Sequence, residues 1–225
     1  RVKRNIILAP QMPMGEKRNA VRDMMRDITG VQLLMGLVAE GNLPAELYAF
    51  VEGLIARHED ESVRVQAAGY FKRGDETRLS SDGVGNIKGD VAQGRLVFEK
   101  TCASCHRVNA RGASIGPDLS SIRTKFDRQT LVNEILDPDA GIVFGYEAWT
   151  INLTDGQSFF GFLVADGPQT VAIKDLAGRN HVLETSLIRS RTKQSNSLMP
   201  PPSTLGLGEE DVADVVDYLM SVNGN

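Results

Sequence analysis

The chain has few cysteines, no long apolar run and no cluster of basic residues. Only two of its 225 residues are cysteine, and both lie in one short motif, which excludes a disulfide framework. Apolar runs stay well short of the ~20 residues needed to span a bilayer. The formal net charge of -4 at pH 7, without a Lys/Arg run, argues against a phosphate-backbone partner. We therefore expect neither a membrane span nor a nucleic-acid partner.

The start of the chain indicates that more protein precedes it. It opens on RVKRNIILAP, with neither an initiator Met nor a signal-peptide pattern. The length of 225 residues and the 41% hydrophobic content suit two small domains, each with its own core. The sequence thus predicts a two-domain piece of a longer protein.

The N-terminal part is helical in pattern. Apolar residues recur at spacings of three and four from about Asn19 to Arg73, and Ser62 is a candidate helix cap. The segment EDESVRVQAAGYF resembles the second helix of a HEAT-type repeat. Residues Gly74 to Gly89 are polar and rich in Gly and Ser, as linkers are. We predict a HEAT-like helical segment at 1–75 and a second domain at 76–225.

The second domain combines helices with a β-rich insertion. Asp90 can cap a helix through VAQGRLVFEK, Arg128 to Leu136 predicts another, and GEEDVADVVDYLMSV predicts the last one, with Val212, Val215, Val216 and Leu219 on one stripe. Tyr146 to Leu187 alternates β-prone runs with the turn signals TDGQ, ADGPQ and LAGR, which predicts about four strands. The predicted fold class is mainly α, with a small antiparallel β insertion at about 145–190.

Both cysteines lie in the stretch KTCASCHRV, where Cys102 and Cys105 are followed directly by His106. A thioredoxin-like dithiol would follow a strand, whereas this motif follows a helix. A structural zinc site needs four ligands, and three His (His58, His106, His181) offer no second pair at a usable spacing. Covalent haem attachment uses all three residues of the motif, two thiols for the porphyrin vinyl groups and one imidazole for the iron. Haem c with its iron is therefore the predicted cofactor.

Residues 88 to 225 resemble the class I cytochrome c family. GDVAQGRLVFEKTCASCH is similar to the helix that runs into the haem motif in that family, with Gly94 and Phe98 where the final helix crosses it. The resemblance implies that Tyr218 and Leu219 belong to this crossing partner. It also implies that GPDLS is the proximal loop, in which the Pro117 carbonyl accepts a hydrogen bond from His106.

The sixth iron ligand implied by the resemblance is Met199. It lies in QSNSLMPPPSTLG just before the last helix, where Pro200 to Pro202 stiffen the chain. His181 is the rival ligand, at a turn-to-strand junction of the insertion. Leu119, Ile122 and Leu136 are candidates to line the haem, with ordinary core packing as the alternative. Arg123 is a candidate to neutralise a haem propionate, with a solvated surface role as the alternative.

The order of these motifs, preceded by HEAT-like helices, resembles a more specific family, the haem-binding C-terminal domains of large secreted proteins of planctomycetes and verrucomicrobia. This resemblance implies a periplasmic or otherwise extracytoplasmic electron carrier that is not itself an enzyme. Its partner would be a redox protein or an upstream dehydrogenase domain.

Three other functions remain open at this point. In a haem sensor or small-ligand binder, Met199 would be loosely held and a gas would take the sixth position. A peroxidase-like domain would need acid-base groups on an open distal side. In the third alternative, the chain acts chiefly as an interaction module through its helical and β parts.

Overall fold

The computed structural model describes residues 2–71 and 79–223. The chain folds into two compact units, and each unit consists of two separate segments. The first combines Arg1–Phe71 with Val143–Leu198, and the second combines Lys72–Ile142 with Met199–Asn225. This division differs from the predicted consecutive domains at 1–75 and 76–225, because the β-rich segment clusters with the N-terminal helices.

The N-terminal segment of the first unit is helical. Its helices are α1 (Val2–Leu8), α2 (Met14–Met24), α3 (Ile28–Ala39), α4 (Ala45–Ile55) and α5 (Glu61–Phe71). The break between α2 and α3, which the apolar pattern did not show, arises because the Asp27 carboxylate accepts a hydrogen bond from the Gly30 N–H at 2.8 Å and caps α3. The prediction of Ser62 as a cap was wrong: Ser62 lies inside α5, and the carboxylate of Asp60 accepts from its N–H at 3.0 Å.

The strands of the described residues form two sheets. The second unit holds a short hairpin of β1 (Arg107–Val108) and β2 (Arg111–Gly112). The first unit holds an antiparallel sheet made of β3 (Ala148–Leu153), β4 (Ser158–Asp166), β5 (Thr170–Asp175), β6 (Asn180–Glu184) and β7 (Ile188–Lys193). Its five strands are ordered β6-β5-β4-β3-β7, against about four predicted. Strand β7 was missed because nearly all of it is exposed and polar, so no apolar alternation marks it.

The sheet has its own apolar core and a helix packed closely against it. The core residues come from four of the strands: Ile151, Leu153, Phe159, Val171, Ile173 and Leu183. Trp149 packs against this cluster and is partly buried. In α3, a Cβ added to Gly36 would lie 3.1 Å from the Thr150 methyl, so a small residue permits the close approach of helix and sheet.

The second unit contains helices that come before the sheet in the sequence and one helix that comes after it. They are α6 (Ser81–Asn86), α7 (Val91–Val97), α8 (Arg128–Leu136) and α9 (Glu209–Ser221). Asp90 caps α7 as predicted, since its carboxylate accepts from the Ala92 N–H at 2.7 Å. Helix α6 falls within the predicted linker at 74–89, where Ser80 provides its cap, and residues 74–78 of that linker lie outside the described residues.

Helices α7 and α9 cross at Gly94, as the sequence predicted. A Cβ on Gly94 would overlap the Asp214 carbonyl oxygen and lie 2.9 Å from Cβ of Tyr218, so only glycine allows this contact. One turn later the rings of Phe98 and Tyr218 pack with centroids 5.6 Å apart. The predicted stripe of α9 is buried in the core of this unit. Val91, at the start of α7, is 45% exposed.

Across the described ranges, no helix combines the length and the apolar character required to cross a membrane.

Candidate cofactor site

The CxxCH motif begins where α7 ends. The helix continues through a π-helical turn, Phe98–Cys102, and the Cys102 carbonyl then accepts from the N–H groups of Cys105 and His106, at 3.1 and 2.9 Å. This tight turn comes a few residues after Phe98, whose ring packs against Tyr218 of α9. The helix crossing therefore fixes the position of the whole motif within the second unit.

The two cysteines are not joined in a disulfide, and they differ in their surroundings. Cys102 packs against the core cluster of the second unit. Burial, together with the neighbouring Cys105, raises the pKa of the Cys102 thiol to about 12. A thiol that stays protonated at neutral pH is a poor nucleophile, and redox-active dithiols instead have a lowered thiol pKa. The structure therefore disfavours a thioredoxin-like function for this motif.

His106 is oriented through one ring nitrogen. Its Nδ1 lies 2.8 Å from the Pro117 carbonyl oxygen, which can only accept a hydrogen bond, so Nδ1 carries the proton. Burial lowers the pKa of His106, and the hydrogen bond to Pro117 opposes that effect. Within the described part of the chain, Nε2 makes no hydrogen bond. The ring is therefore a neutral imidazole that presents Nε2, which is how a metal-ligating His is held.

The loop that carries Pro117 closes tightly on the imidazole ring. A Cβ on Gly116 would lie 2.8 Å from Cε1 and 3.1 Å from Nδ1 of His106. The Gly116 N–H donates to the Cys105 carbonyl at 2.8 Å, which brings the loop back to the motif. Gly112, with φ of +98°, leaves no room for a side chain beside the His106 carbonyl. The two glycines allow the backbone to surround His106.

Charged and polar side chains join the motif to the same loop. Nε and Nη2 of Arg107 donate to Oδ2 of Asp118 at 2.9 and 2.8 Å. Oδ1 of Asp118 accepts from the N–H and the hydroxyl of Ser120, and the Ser120 hydroxyl oxygen accepts from the Asn109 N–H at 2.8 Å. The hydrogen bonds from Ser120, then those from Arg107, lower the pKa of Asp118 to about 2.

The other predicted site residues are distributed over the second unit. Leu119 and Leu136 are partly buried against its core, Ile122 is buried within it, and Arg123 is exposed. Met199 is half-buried and begins the C-terminal segment of the unit, just before a short 3-10 helix at Pro202–Leu205. The unit thus contains every residue predicted for the site.

The rival ligand His181 has a partner elsewhere. It belongs to the first unit, where its Nε2 lies 2.7 Å from Oδ2 of the buried Asp175. The same carboxylate oxygen accepts from Gln32 at 2.9 Å. His181 is thus a member of a polar cluster between α3 and the β5–β6 turn.

Sequence reasoning missed the residues that flank the His106 to Pro117 hydrogen bond. Arg107 directly follows His106, and Asp118 directly follows Pro117. The sequence therefore did carry a signal, namely two opposite charges, each next to one partner of this hydrogen bond. The contact of Gly116 with the ring depends on the loop conformation, and no spacing rule indicates it.

The residues present fit a haem c. The motif offers two cysteines that form no disulfide, of which Cys102 packs against an apolar core, and a neutral imidazole with an unengaged Nε2. Within the described ranges, His, Cys, Asp and Glu side chains nowhere gather in threes as an ion-binding cluster would require. This donor set suits a porphyrin iron rather than a structural zinc.

Comparison with known proteins agrees with this chemistry. The cytochrome c family model ("Cytochrome c") matches residues 91–148, so a cytochrome c domain is present there. Cytochrome c-554(547) of Halothiobacillus neapolitanus is 36% identical over 44 residues, which are 20% of this chain and 48% of that protein. The chain thus spans about half the length of this curated relative. The family implies covalently bound haem c with its iron. The matched segment contains the CxxCH motif and the Pro117 loop but ends before Met199.

Proposed function

We propose that this chain is a one-electron carrier with a single haem c, held by Cys102 and Cys105 and ligated by His106 and Met199. The observation that carries the proposal is the hydrogen bond from His106 Nδ1 to the Pro117 carbonyl at 2.8 Å, directly after two cysteines that form no disulfide. When bound, the haem iron supplies reversible one-electron oxidation and reduction.

The residues of the chain would set the properties of that iron. Thioether bonds from Cys102 and Cys105 would prevent loss of the haem. Pro117 would keep His106 in one tautomer and increase its basicity through the Nδ1–H bond. The core that packs around Cys102 would exclude water from one side of the haem and lower the local dielectric constant.

The proposal of Met199 as the sixth ligand is supported by its place in the second unit and by the prolines that follow it. A thioether ligand raises the reduction potential relative to a second His. The rival His181 is hydrogen-bonded to Asp175 in the first unit. With both axial positions filled, the iron would exchange electrons rather than bind a substrate.

The wider context of the carrier is also part of the proposal. The motif order supports membership of the planctomycete and verrucomicrobial haem-binding C-terminal domains, preceded by a HEAT-like helical segment at 1–75. Such a domain would be periplasmic or otherwise extracytoplasmic. It would receive its electron from an upstream dehydrogenase domain or from a separate redox protein.

The test is a visible spectrum of the protein after export with a cytochrome c maturation system. The expected result is a c-type pyridine haemochrome, together with the Met-to-ferric-iron charge-transfer band. A c-type spectrum without that band would reject Met199 as ligand and favour the sensor or peroxidase functions. The absence of covalent haem would reject electron transfer by this site.

A further inference from the structure

We infer that Arg107, Asp118 and Ser120 are positioning residues that set the strength of the hydrogen bond between His106 and Pro117, and with it the reduction potential. We call these three residues the loop clamp. The inference rests on the proposed function, and it assigns a role to side chains that would not touch the haem.

The loop clamp lies on both sides of the bond that it would control. The chain segment after His106 runs beside the segment after Pro117, with a parallel bridge between Arg107 and Asp118. The Arg107 carbonyl accepts from the Leu119 N–H at 2.8 Å, which adds a backbone link between the two segments. Both residues that flank the His106–Pro117 bond therefore belong to one hydrogen-bonded ladder.

The position of the Pro117 carbonyl depends on Asp118 more than on Pro117 itself. Proline has no N–H to donate, so Pro117 cannot be anchored through its own nitrogen. Its carbonyl and the nitrogen of Asp118 share one rigid peptide plane, so whatever holds Asp118 also holds the carbonyl. The Asp118 side chain accepts from two nitrogens of Arg107 and from both the N–H and the hydroxyl of Ser120.

The strength of this bond matters because it is transmitted to the iron ligand. A stronger bond at Nδ1 makes the imidazole more basic, and a more basic ligand stabilises the ferric state. Loosening the loop clamp should therefore weaken the bond and raise the reduction potential. This holds for the loss of either member of the ion pair.

A simple charge effect predicts a different pattern. Removing a positive charge stabilises the ferric state and lowers the potential, whereas removing a negative charge raises it. The variants Arg107→Gln and Asp118→Asn should thus shift the potential in opposite directions if charge alone matters. They should both raise it if the loop clamp positions Pro117.

The experiment is redox titration of the haem-loaded wild type, Arg107→Gln and Asp118→Asn, with NMR hydrogen exchange of the His106 Nδ1–H in the reduced state. We expect both variants to have a raised potential and a faster Nδ1–H exchange, with covalent haem retained. Arg95→Gln is the matched control, because Arg95 forms an exposed ion pair with Glu99 in the same unit, outside the loop. It should leave the Nδ1–H exchange unchanged.

The outcomes separate the two proposals. Shifts of opposite sign with wild-type Nδ1–H exchange, in proteins that keep a c-type spectrum, would overturn the loop clamp and leave the electron-transfer function intact. A wild type that carries no c-type haem would overturn both.

Discussion

At the scale of single residues, burial and one hydrogen bond give the CxxCH motif its chemical character. Burial keeps the Cys102 thiol protonated, and the Pro117 carbonyl fixes the proton of His106 on Nδ1. The same residues in a solvent-exposed loop would present a mobile imidazole and a more acidic thiol. The local fold therefore disfavours redox-dithiol chemistry at Cys102 and holds His106 as a metal-ligating His is held.

We predict that the double variant Cys102→Ala, Cys105→Ala contains no covalently bound haem, because thioether bonds require both thiols. Acid-acetone extraction followed by absorbance of the protein fraction measures this. Ser104→Ala is the control, since Ser104 lies between the two cysteines and its hydroxyl donates to the Thr101 carbonyl. Haem that remains with the double variant through extraction would contradict covalent attachment at this motif.

Replacing Met199 with His should keep the haem and lower its reduction potential, because imidazole stabilises ferric iron more than a thioether does. A redox titration followed at the visible absorbance bands gives the potential. The same substitution at Met14, at the start of α2 in the first unit, serves as the control and should leave it unchanged. If Met199→His had the wild-type potential, Met199 would not be the ligand.

Asp118 should make the stability of the protein depend on acidic pH. Its folded pKa is about 2, below the ordinary value of 3.8, so its stabilising contribution is complete above pH about 4 and disappears as the pH falls towards 2. The side chain is 43% exposed, so solvent screening keeps the contribution small. Urea unfolding of wild type and Asp118→Asn should show a stability difference at pH 5 that shrinks towards pH 2. A difference that stays constant over this range would contradict the lowered pKa.

At the scale of secondary-structure elements, the crossing of α7 and α9 connects the fold to the site. It requires glycine at position 94 and places Phe98 against Tyr218, and the next turn carries Cys102. We predict that Gly94→Ala lowers the free energy of unfolding by about 1–3 kcal/mol, since the added methyl group has no space. Urea unfolding followed by circular dichroism measures the change.

Gly53→Ala is the matched substitution in an open environment. Gly53 lies inside α4 with no atom within 4 Å of an added Cβ, so alanine should stabilise that helix by up to about 1 kcal/mol. Opposite signs for the two glycine substitutions would support the close helix crossing. A Gly94→Ala protein as stable as the wild type would show that α7 and α9 are not in such close contact.

The sequence predicted elements that carry a strong periodic pattern or a cap. Helices α8 and α9 and the cap at Asp90 were found in this way, since each depends on residues near in sequence. Strand β7 was not found, because it is an exposed strand at the edge of the sheet, paired with β3. Helix α6 was read as a linker because its glycines are typical of loops, although Ser80 caps it.

The candidate site could be predicted to the extent that its residues lie in short motifs. The CxxCH motif and GPDLS loop are each readable, and the structure places His106 next to Pro117. The ion pair of Arg107 with Asp118 joins residues from both motifs, so it becomes visible only when the loop closes. Met199 lies far along the chain, and its role stays a prediction.

At the scale of the whole molecule, the chain passes back and forth between its two compact units. It leaves the first unit after residue 71, returns to it at 143, and leaves it again after 198. The core of the second unit therefore combines α7 and α8, before the sheet, with α9, after it. Neither unit can be completed by one continuous stretch of the chain.

This arrangement predicts the behaviour of the protein after a single cut at Phe144. The Phe144 side chain is 93% exposed, so chymotrypsin should cleave there readily. The two pieces, 1–144 and 145–225, should stay together in native buffer, because each unit takes segments from both sides of the cut. Size-exclusion chromatography of the nicked protein should give one peak at the position of the intact chain, and denaturing electrophoresis should separate the two pieces.

Phe144→Ser is the control for the site of cleavage. The variant should resist chymotrypsin at this position and elute like the intact wild type, since an exposed side chain contributes little to packing. If the nicked wild-type protein separated into two species in native buffer, the chain would instead consist of consecutive domains on either side of the cut. Cohesion of the pieces would show that at least one unit holds segments from both sides of the cut together, as the first unit does with its N-terminal helices and sheet and the second with α7 and α9.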